Sequence, residues 1–321
     1  MARRLEDILK SGFQLWRKNL NLTLPFFLNF VVSSTLFCSF FLTILNILHI
    51  PITTDITIIM ESLSTTLKTA GSHLILEILF LFLFLIFILM ITESFFIAGA
   101  VGMAKTVIET GRTSLSDMLH YGGEKILDLF IARFILSIFT FVLTIVFIGI
   151  SVLITSLILH MVGVSILRFA DSLLGIILLI VSLLFITLPF TIVISNIGPI
   201  NALKASYKFS MDNKLPVVIL FVFIEYLGKF SIYFVMLVTA IVFSAGVVAL
   251  PSFIDIPNMT SYSLSQFLTN LLIMIIITIL IFILISGILN IFLFMPLSTL
   301  WWSLLYVDRT KTDLWKNDKV Y

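Results

Sequence analysis

The sequence predicts an all-α polytopic integral membrane protein with six transmembrane helices, and three observations support this fold class. Apolar residues make up 60% of the 321-residue chain and charged residues 11%, whereas soluble domains have about 45–50% and 25%. Six apolar runs are each long enough to cross a bilayer, which takes about 20 residues. The segments that connect these runs are alternately rich and poor in Lys and Arg, as expected for loops on opposite sides of a membrane.

The chain begins with a predicted interfacial helix over residues 1–20. Its apolar residues recur at helical spacing and its Arg and Lys residues flank them, a pattern typical of a helix lying on a membrane surface. The apolar residues are Leu5, Ile8, Leu9, Phe13 and Trp16. In the segment before the third crossing, Ser114 and Asp117 suit a helix N-cap and first turn, which predicts a short surface helix there.

We predict a single membrane domain over residues 1–321, in which proline marks the irregular places. Pro25 stands at the start of the first crossing, where its missing N–H is tolerated. Pro189 predicts a kink in the fourth crossing, and Pro296 divides the sixth, which is too long for one straight span. The predicted crossings are about 24–50, 74–104, 126–159, 173–197, 216–250 and 267–306, followed by a cytoplasmic tail over 307–321.

The positions of Lys and Arg predict the orientation. Of 19 such residues, fifteen lie on one side, two lie on the other (Lys68 and Arg168), and Arg133 and Lys229 lie within crossings. Because cytoplasmic loops carry the excess of Lys and Arg, both termini are predicted to be cytoplasmic in a multi-pass protein of the cell membrane. The fifteen are Arg3, Arg4, Lys10, Arg17, Lys18, Lys105, Arg112, Lys125, Lys204, Lys208, Lys214, Arg309, Lys311, Lys316 and Lys319.

Two amphipathic segments resemble each other. Residues 8–19 read ILKSGFQLWRKN and residues 202–213 read ALKASYKFSMDN, and each leads into a crossing that starts on the basic side. The segment after Ser114 occupies the matching place before the third crossing. The pattern predicts three units, each a surface helix followed by a transmembrane hairpin. The alternative is that basic amphipathic segments resemble one another without common descent.

Polar residues within the crossings form the candidate site. All six crossings contribute one in their cytoplasmic half, and an ionised residue at mid-membrane costs about 2.5–3.5 kcal/mol on insertion scales. If these faces converge, they line a polar cavity open to the cytoplasm. The alternatives are hydrogen bonds and ion pairs that hold helices together, or long side chains that extend to the interface. The candidates are Asn29, Glu93, Arg133, Asn196, Glu225, Lys229 and Asn290.

The sequence predicts no enzyme. It has no H-E-x-x-H or G-x-S-x-G motif, and no His or Asp lies at mid-depth in a crossing. His49, His73 and His160 have no metal-ligand spacing within one helix, so no metal and no cofactor are predicted. The net charge of +2 indicates no nucleic-acid partner. The predicted partner is the lipid bilayer.

Small residues at four-residue spacing suit close helix packing. Packing within the monomer is the default interpretation, and a homo-oligomer is the alternative. They are Ala98 with Gly102, Ala240 with Ser244, and Ala245 with Ala249.

Several segments resemble a broad prokaryotic group of six-helix membrane proteins. They are LKSGFQLWRKN, GRTSLSDML with GGEK, NALKASYKFSMDNK and PLSTLWWSLLYVDRTK. The group is similar to the integral-membrane domain that accompanies some glycerophosphodiester phosphodiesterases. The catalytic barrel has no counterpart here, so its activity is not implied. The group often has an acidic residue where this chain has Asn196. The resemblance implies a cell-envelope protein linked to lipid or amphiphile handling.

Two functions follow as hypotheses. The first is a permease-like or lipid-handling protein that uses the polar cluster. The second is a non-transporting scaffold or assembly factor that recruits partners through its basic amphipathic helices. A cavity that reaches Glu93 and Glu225 favours the first hypothesis, whereas sealed and paired charges favour the second.

Overall fold

The fold is all-α throughout the part of the chain that the structure describes. A computed structural model describes residues 3–48, 72–158, 165–249 and 261–317, and these ranges contain no strand. Six helices in them are long and apolar enough to cross a membrane, which confirms the predicted fold class. They cover Leu20–Ile47, His73–Thr110, Leu115–Leu153, Ser172–Ile194, Lys214–Ile241 and Leu271–Thr310.

The helices follow one another with short connections wherever the chain is described. They are α1 (Leu5–Lys18), α2 (Leu24–Ile47), α3 (Ser72–Thr110), α4 (Leu115–Ile158), α5 (Ser165–Phe185), α6 (Leu188–Ile194), α7 (Pro199–Asp212), α8 (Lys214–Ala249), α9 (Ser261–Leu289) and α10 (Met295–Asn317). A 3₁₀ turn over Leu20–Thr23 joins α1 to α2, and a π-helical segment over Asn290–Phe294 joins α9 to α10.

The chain forms two compact units. The first comprises Met1–Asn213 with Thr299–Tyr321, and the second comprises Lys214–Ser298. In the first unit, α2 packs on α3, α3 packs on α4, and α7 packs against α4, α5 and α6. In the second unit, α8 packs on α9. The single membrane domain predicted from the sequence stays a prediction.

The segment after Ser114 does not form a separate surface helix, because it is the first part of the 44-residue helix α4. The predicted cap is present: Asp117 Oδ2 accepts hydrogen bonds from the Ser114 backbone N–H at 2.7 Å and from the Ser114 hydroxyl at 2.9 Å. This is the returning half of a capping box. Helix α4 then runs on without a break into the third apolar run.

Helices α1 and α7 share their length and their C-terminal cap. Each has 14 residues and is followed by an asparagine, Asn19 or Asn213. The Asn19 side-chain amide donates to the Leu15 carbonyl at 3.0 Å, and that of Asn213 donates to the Phe209 carbonyl at 3.1 Å. The Asn19 amide thus satisfies one of the last carbonyls of α1, which lack a partner within the helix, whereas the Phe209 carbonyl also accepts the Asn213 backbone N–H at 3.0 Å.

The first part of α4 follows the same register of buried positions. When α1, α7 and the first part of α4 are aligned, all three are buried at the same two positions, which are four residues apart. The alignment places Leu129 of α4 at the position of Asn19 and Asn213. The buried residues are Ile8 and Gly12, Met118 and Gly122, and Ala202 and Ser206. The common descent of these segments remains a prediction, and their common packing is observed.

Helices α3 and α4 approach each other closely at the small residues that predict close packing in α3. Ala98 and Gly102 are both buried within the chain. A Cβ at Gly102 would lie 2.2 Å from the ring of Tyr121 in α4, and one at Gly122 would lie 2.9 Å from the ring of Phe95. In α8, Ala240 and Ser244 are exposed, and the Ala245 and Ala249 side chains lie outside the described residues.

The fourth crossing breaks at the predicted proline. Helix α5 ends at Phe185, and α6 begins at Leu188 with Pro189 in its first turn. Two serines of α7 cover the break: Ser206 Oγ donates to the Leu184 carbonyl at 3.4 Å and Ser210 Oγ to the Leu183 carbonyl at 3.2 Å. A broken helix is tolerated in a membrane protein when neighbouring groups satisfy its freed backbone.

The sixth crossing is divided just before Pro296, by the π-helical segment Asn290–Phe294. A proline removes one helical N–H and its ring clashes with the carbonyl four residues earlier, here Phe292. Insertion of a π turn at this place widens the helix locally. Helix α10 continues to Asn317, so most of the predicted tail is helical.

Candidate functional site

A close ion pair within the apolar helices joins Glu93 of α3 to Arg133 of α4. Arg133 Nη2 lies 2.8 Å from Glu93 Oε2, and the side chains are 25% and 44% exposed, respectively. Arg133 Nη1 is shielded from solvent and has no hydrogen-bond acceptor among the described residues. An unsatisfied buried donor costs about 1–3 kcal/mol. The guanidinium therefore has donor capacity that the described residues leave unused.

An amphipathic groove of about 550 Å³ lies beside this guanidinium, between α4 and α5. Its polar lining consists of Arg133 and four hydroxyl side chains, and its apolar lining consists of aliphatic residues and one phenylalanine. The full lining is Arg133, Leu136, Ser137, Thr140, Phe141, Thr144, Leu178, Val181 and Ser182. A volume of this size is typical of a site for one small molecule.

The lining residues of α4 lie on one face because they recur at helical spacing. From Arg133 to Thr144 the face extends about 16 Å, at about 1.5 Å per residue. Thr140 Oγ1 donates to the Leu136 carbonyl and Thr144 Oγ1 donates to the Thr140 carbonyl, each at 2.8 Å. These two hydroxyl hydrogens are already used, so the guanidinium is the strong donor at one end of the groove.

The second predicted pair, Glu225 and Lys229, has a different environment. Lys229 Nζ lies 3.9 Å from Glu225 Oε2 on the same helix face, as their spacing predicts. Their side chains are 49% and 64% exposed. The pair lies in the second compact unit, on the outer surface of α8. The long contact and the exposure indicate a loose ion pair.

Each predicted asparagine has a hydrogen-bond partner or lies where the backbone departs from an α-helix. Asn196 adopts a left-handed φ of 54° directly after α6, a conformation that asparagine tolerates at a helix end. Its Oδ1 accepts a hydrogen bond from the buried Lys125 Nζ of α4. Asn29 Oδ1 accepts one from Ser33 Oγ in its own helix at 3.4 Å. Asn290 is exposed and begins the π-helical segment.

The seven predicted residues therefore divide into separate local arrangements in the described contacts. Of the seven, Arg133 lines the groove and Glu93 is joined to it. The single shared cavity remains a prediction, since Glu225, Lys229 and Asn290 belong to the second unit. His49 and His160 lie outside the described residues.

Sequence reasoning missed the hydroxyl residues of the groove. Ser137, Thr140 and Thr144 recur at spacings of three and four within an apolar run, which is a usable signal of a polar stripe on one helix face. Ser182 of α5 supplies a hydroxyl from the opposite side. Hydroxyl residues are common in apolar helices because they can hydrogen-bond to their own backbone, which makes this signal weak by itself.

The fold and the site define a polytopic α-helical membrane protein with an ion pair and an amphipathic groove within its apolar helices. Residues 81–295, which contain both features, match a domain of unknown function, DUF7847. The chain belongs to this family. Comparisons with curated proteins and with solved structures gave no match.

Proposed function

We propose that this protein binds and handles a lipid-like amphiphile within the membrane, in a permease-like role that does not involve catalysis. The observation that supports the proposal best is the groove between α4 and α5, because its lining has the two chemical characters of an amphiphile. One end holds a guanidinium with an unused donor, and Leu136, Phe141, Leu178 and Val181 supply apolar surface. Such a mixture of apolar walls and a few polar groups is typical of ligand sites.

The proposed orientation puts this groove in the cytoplasmic half of the cell membrane, with both chain termini in the cytoplasm. The alternation of Lys and Arg supports it. The resemblance to the membrane domain that accompanies glycerophosphodiester phosphodiesterases agrees with a role in lipid handling, and we propose that kinship together with the function.

Photo-crosslinking tests the proposal. The protein in phosphatidylcholine nanodiscs is irradiated with a diazirine-labelled palmitoyl probe, and the labelled peptides are mapped by mass spectrometry. We expect labels on the lining segments of α4 and α5. Thr140→Trp and Ser182→Trp fill the groove from opposite sides and should each remove most of that labelling.

The matched control is Ile138→Trp, which adds the same ring to the same helix at a residue that is 48% exposed and does not line the groove. This variant should keep the wild-type pattern. Equal labelling of all lipid-facing helices, unaffected by Thr140→Trp and Ser182→Trp, would contradict the proposal.

A scaffold role is the alternative, and one observation favours it. Helices α1 and α7 bury one face and leave their basic residues, among them Lys10, Arg17, Lys204 and Lys208, exposed. Charge reversal at Lys204 and Lys208 should then abolish cellular function while Thr140→Trp leaves it intact. The groove proposal predicts the opposite result for these two variants.

A further inference from the structure

Arg133 makes one strong contact and retains one shielded, unused nitrogen. A guanidinium has five N–H donors in a planar fork, which suits carboxylate and phosphate oxygens. Glu93 occupies Nη2 at 2.8 Å, and Nη1 has no acceptor among the described residues. The cation at the end of the groove is therefore held through Nη2 by one carboxylate, and its shielded Nη1 reaches a second oxyanion only when the guanidinium turns toward the groove.

The rest of the groove has no comparable group. The hydroxyl hydrogens of Thr140 and Thr144 are donated to backbone carbonyls, and the remaining surface is largely apolar. An oxyanion would be favoured next to Arg133 and an aliphatic chain along the remainder. The volume of about 550 Å³ corresponds to one small ligand, which favours one chain over two.

We infer, on the basis of the proposed function, that the groove selects a single-chain amphiphile with an oxyanion headgroup, which Arg133 binds by turning its unpaired donor into the groove. Glu93 is a positioning residue: it holds the guanidinium through Nη2 and is also the negative charge nearest to the incoming headgroup. Removal of that charge, with Arg133 retained, should tighten binding of the anion, whereas a purely structural glutamate would weaken binding of every ligand on removal.

Competition against the diazirine palmitoyl probe in phosphatidylcholine nanodiscs tests the inference. The competitors are lysophosphatidic acid, palmitate, monopalmitoylglycerol, which has the same chain and no oxyanion, and inorganic phosphate. With wild-type protein we expect the two anionic amphiphiles to compete about tenfold better than monopalmitoylglycerol, since a hydrogen bond to a charged group contributes that much or more. Inorganic phosphate, which has no chain, should not compete.

The variants distinguish the effect of a lost charge on binding from the effect of a folding defect. Arg133→Gln should abolish the preference for the anionic amphiphiles, Arg133→Lys should retain part of it, and Glu93→Gln should increase it. Lys229→Gln is the matched control, because it neutralises another ion-paired cation of an apolar helix at a residue that does not line the groove. It should leave the preference unchanged. If Arg133→Gln fails to fold, the double variant with Glu93→Gln removes both charges together.

Each outcome decides one point. Equal competition by lysophosphatidic acid and monopalmitoylglycerol in wild type would overturn the headgroup inference and leave the groove proposal standing. Competition by inorganic phosphate alone would overturn the requirement for a chain. A loss of all binding in Glu93→Gln would overturn the positioning role. Absence of any groove labelling in wild type would instead contradict the proposed function itself.

Discussion

The indole Nε1 of Trp301 donates a hydrogen bond of 3.0 Å to the backbone carbonyl of Leu9, and so joins two helices that are 292 residues apart in the chain. The contact depends on Gly12, because a Cβ there would lie 2.4 Å from Trp301 Cδ1. Arg3 adds a second link, since its backbone N–H donates to Asp308 Oδ2 at 3.0 Å. Helix α1 is thus packed on α10 and is not only a surface element.

Substitution Gly12→Ala should destabilise the protein, because the new methyl group overlaps the buried indole. Overpacking of this kind typically costs about 1–3 kcal/mol. Gly123→Ala is the matched control: Gly123 is helical and its added Cβ would meet nothing within 4 Å, so it should stabilise by up to about 1 kcal/mol. Thermal unfolding in detergent measures both. A stable Gly12→Ala would show that the indole moves freely.

Ser206 of α7, which covers the break between α5 and α6, should contribute to the free energy of unfolding. Ser206 Oγ lies 2.9 Å from Thr187 Oγ1 and also donates to the Leu184 carbonyl, in a buried setting. Ser206→Ala should cost about 1–3 kcal/mol, because it leaves buried polar groups without partners. Ser244→Ala is the control, since Ser244 is exposed and bonds within its own helix. Equal unfolding temperatures for the two variants would contradict this prediction.

The two capping asparagines should differ in a measurable way. Asn19 donates to the Leu15 carbonyl and, at 3.1 Å, to the Gly111 carbonyl of the α3–α4 connection. Asn213 makes one such bond. At about 0.5–1.5 kcal/mol per bond, Asn19→Ala should destabilise the protein about twice as much as Asn213→Ala. Urea unfolding in mild detergent provides the comparison, and equal destabilisation by the two variants would show that the link to Gly111 contributes nothing.

The orientation predicted from Lys and Arg can be tested with single cysteines. The chain has one cysteine, Cys38, so Cys38→Ser gives a background without thiols. In intact cells, a membrane-impermeant maleimide should label Thr66→Cys and should not label Lys208→Cys until the cells are opened. The physical basis is the retention of Lys and Arg on the cytoplasmic side. Labelling of Lys208→Cys from outside would reverse the orientation and place the groove in the outer half.

The sequence predicts where apolar helices lie, because membrane helices must satisfy every backbone group internally and carry enough apolar residues to span the bilayer. It predicts less well where a helix continues. Ser114 and Asp117 predict a separate short surface helix before the third crossing, yet α4 runs on through Gly122 and Gly123. The reason is packing: Gly122 lies where the ring and carbonyl of Phe95 approach within about 3 Å of an added Cβ.

The groove could not be predicted for a related reason. Hydropathy gives the depth of Arg133 and Glu93 along their helices but not the rotation of each helix about its axis. That rotation decides that Arg133 meets Glu93 and that Ser182 faces Thr140 across the groove. Asn196 was predicted as a cavity residue, and its positive φ shows that it also ends α6. Local conformation of this kind is specified by only one or two residues.

The contact between Leu9 and Trp301 has a consequence for biosynthesis. Leu9 of α1 leaves the ribosome before Trp301, which follows 292 residues later, an interval of roughly 15–60 s at about 5–20 residues per second. During that time the face of α1 that contains Gly12 is not covered by Trp301. We expect the amphipathic helix to bind to the membrane surface in this interval. Completion of the chain then covers that face with the indole of Trp301.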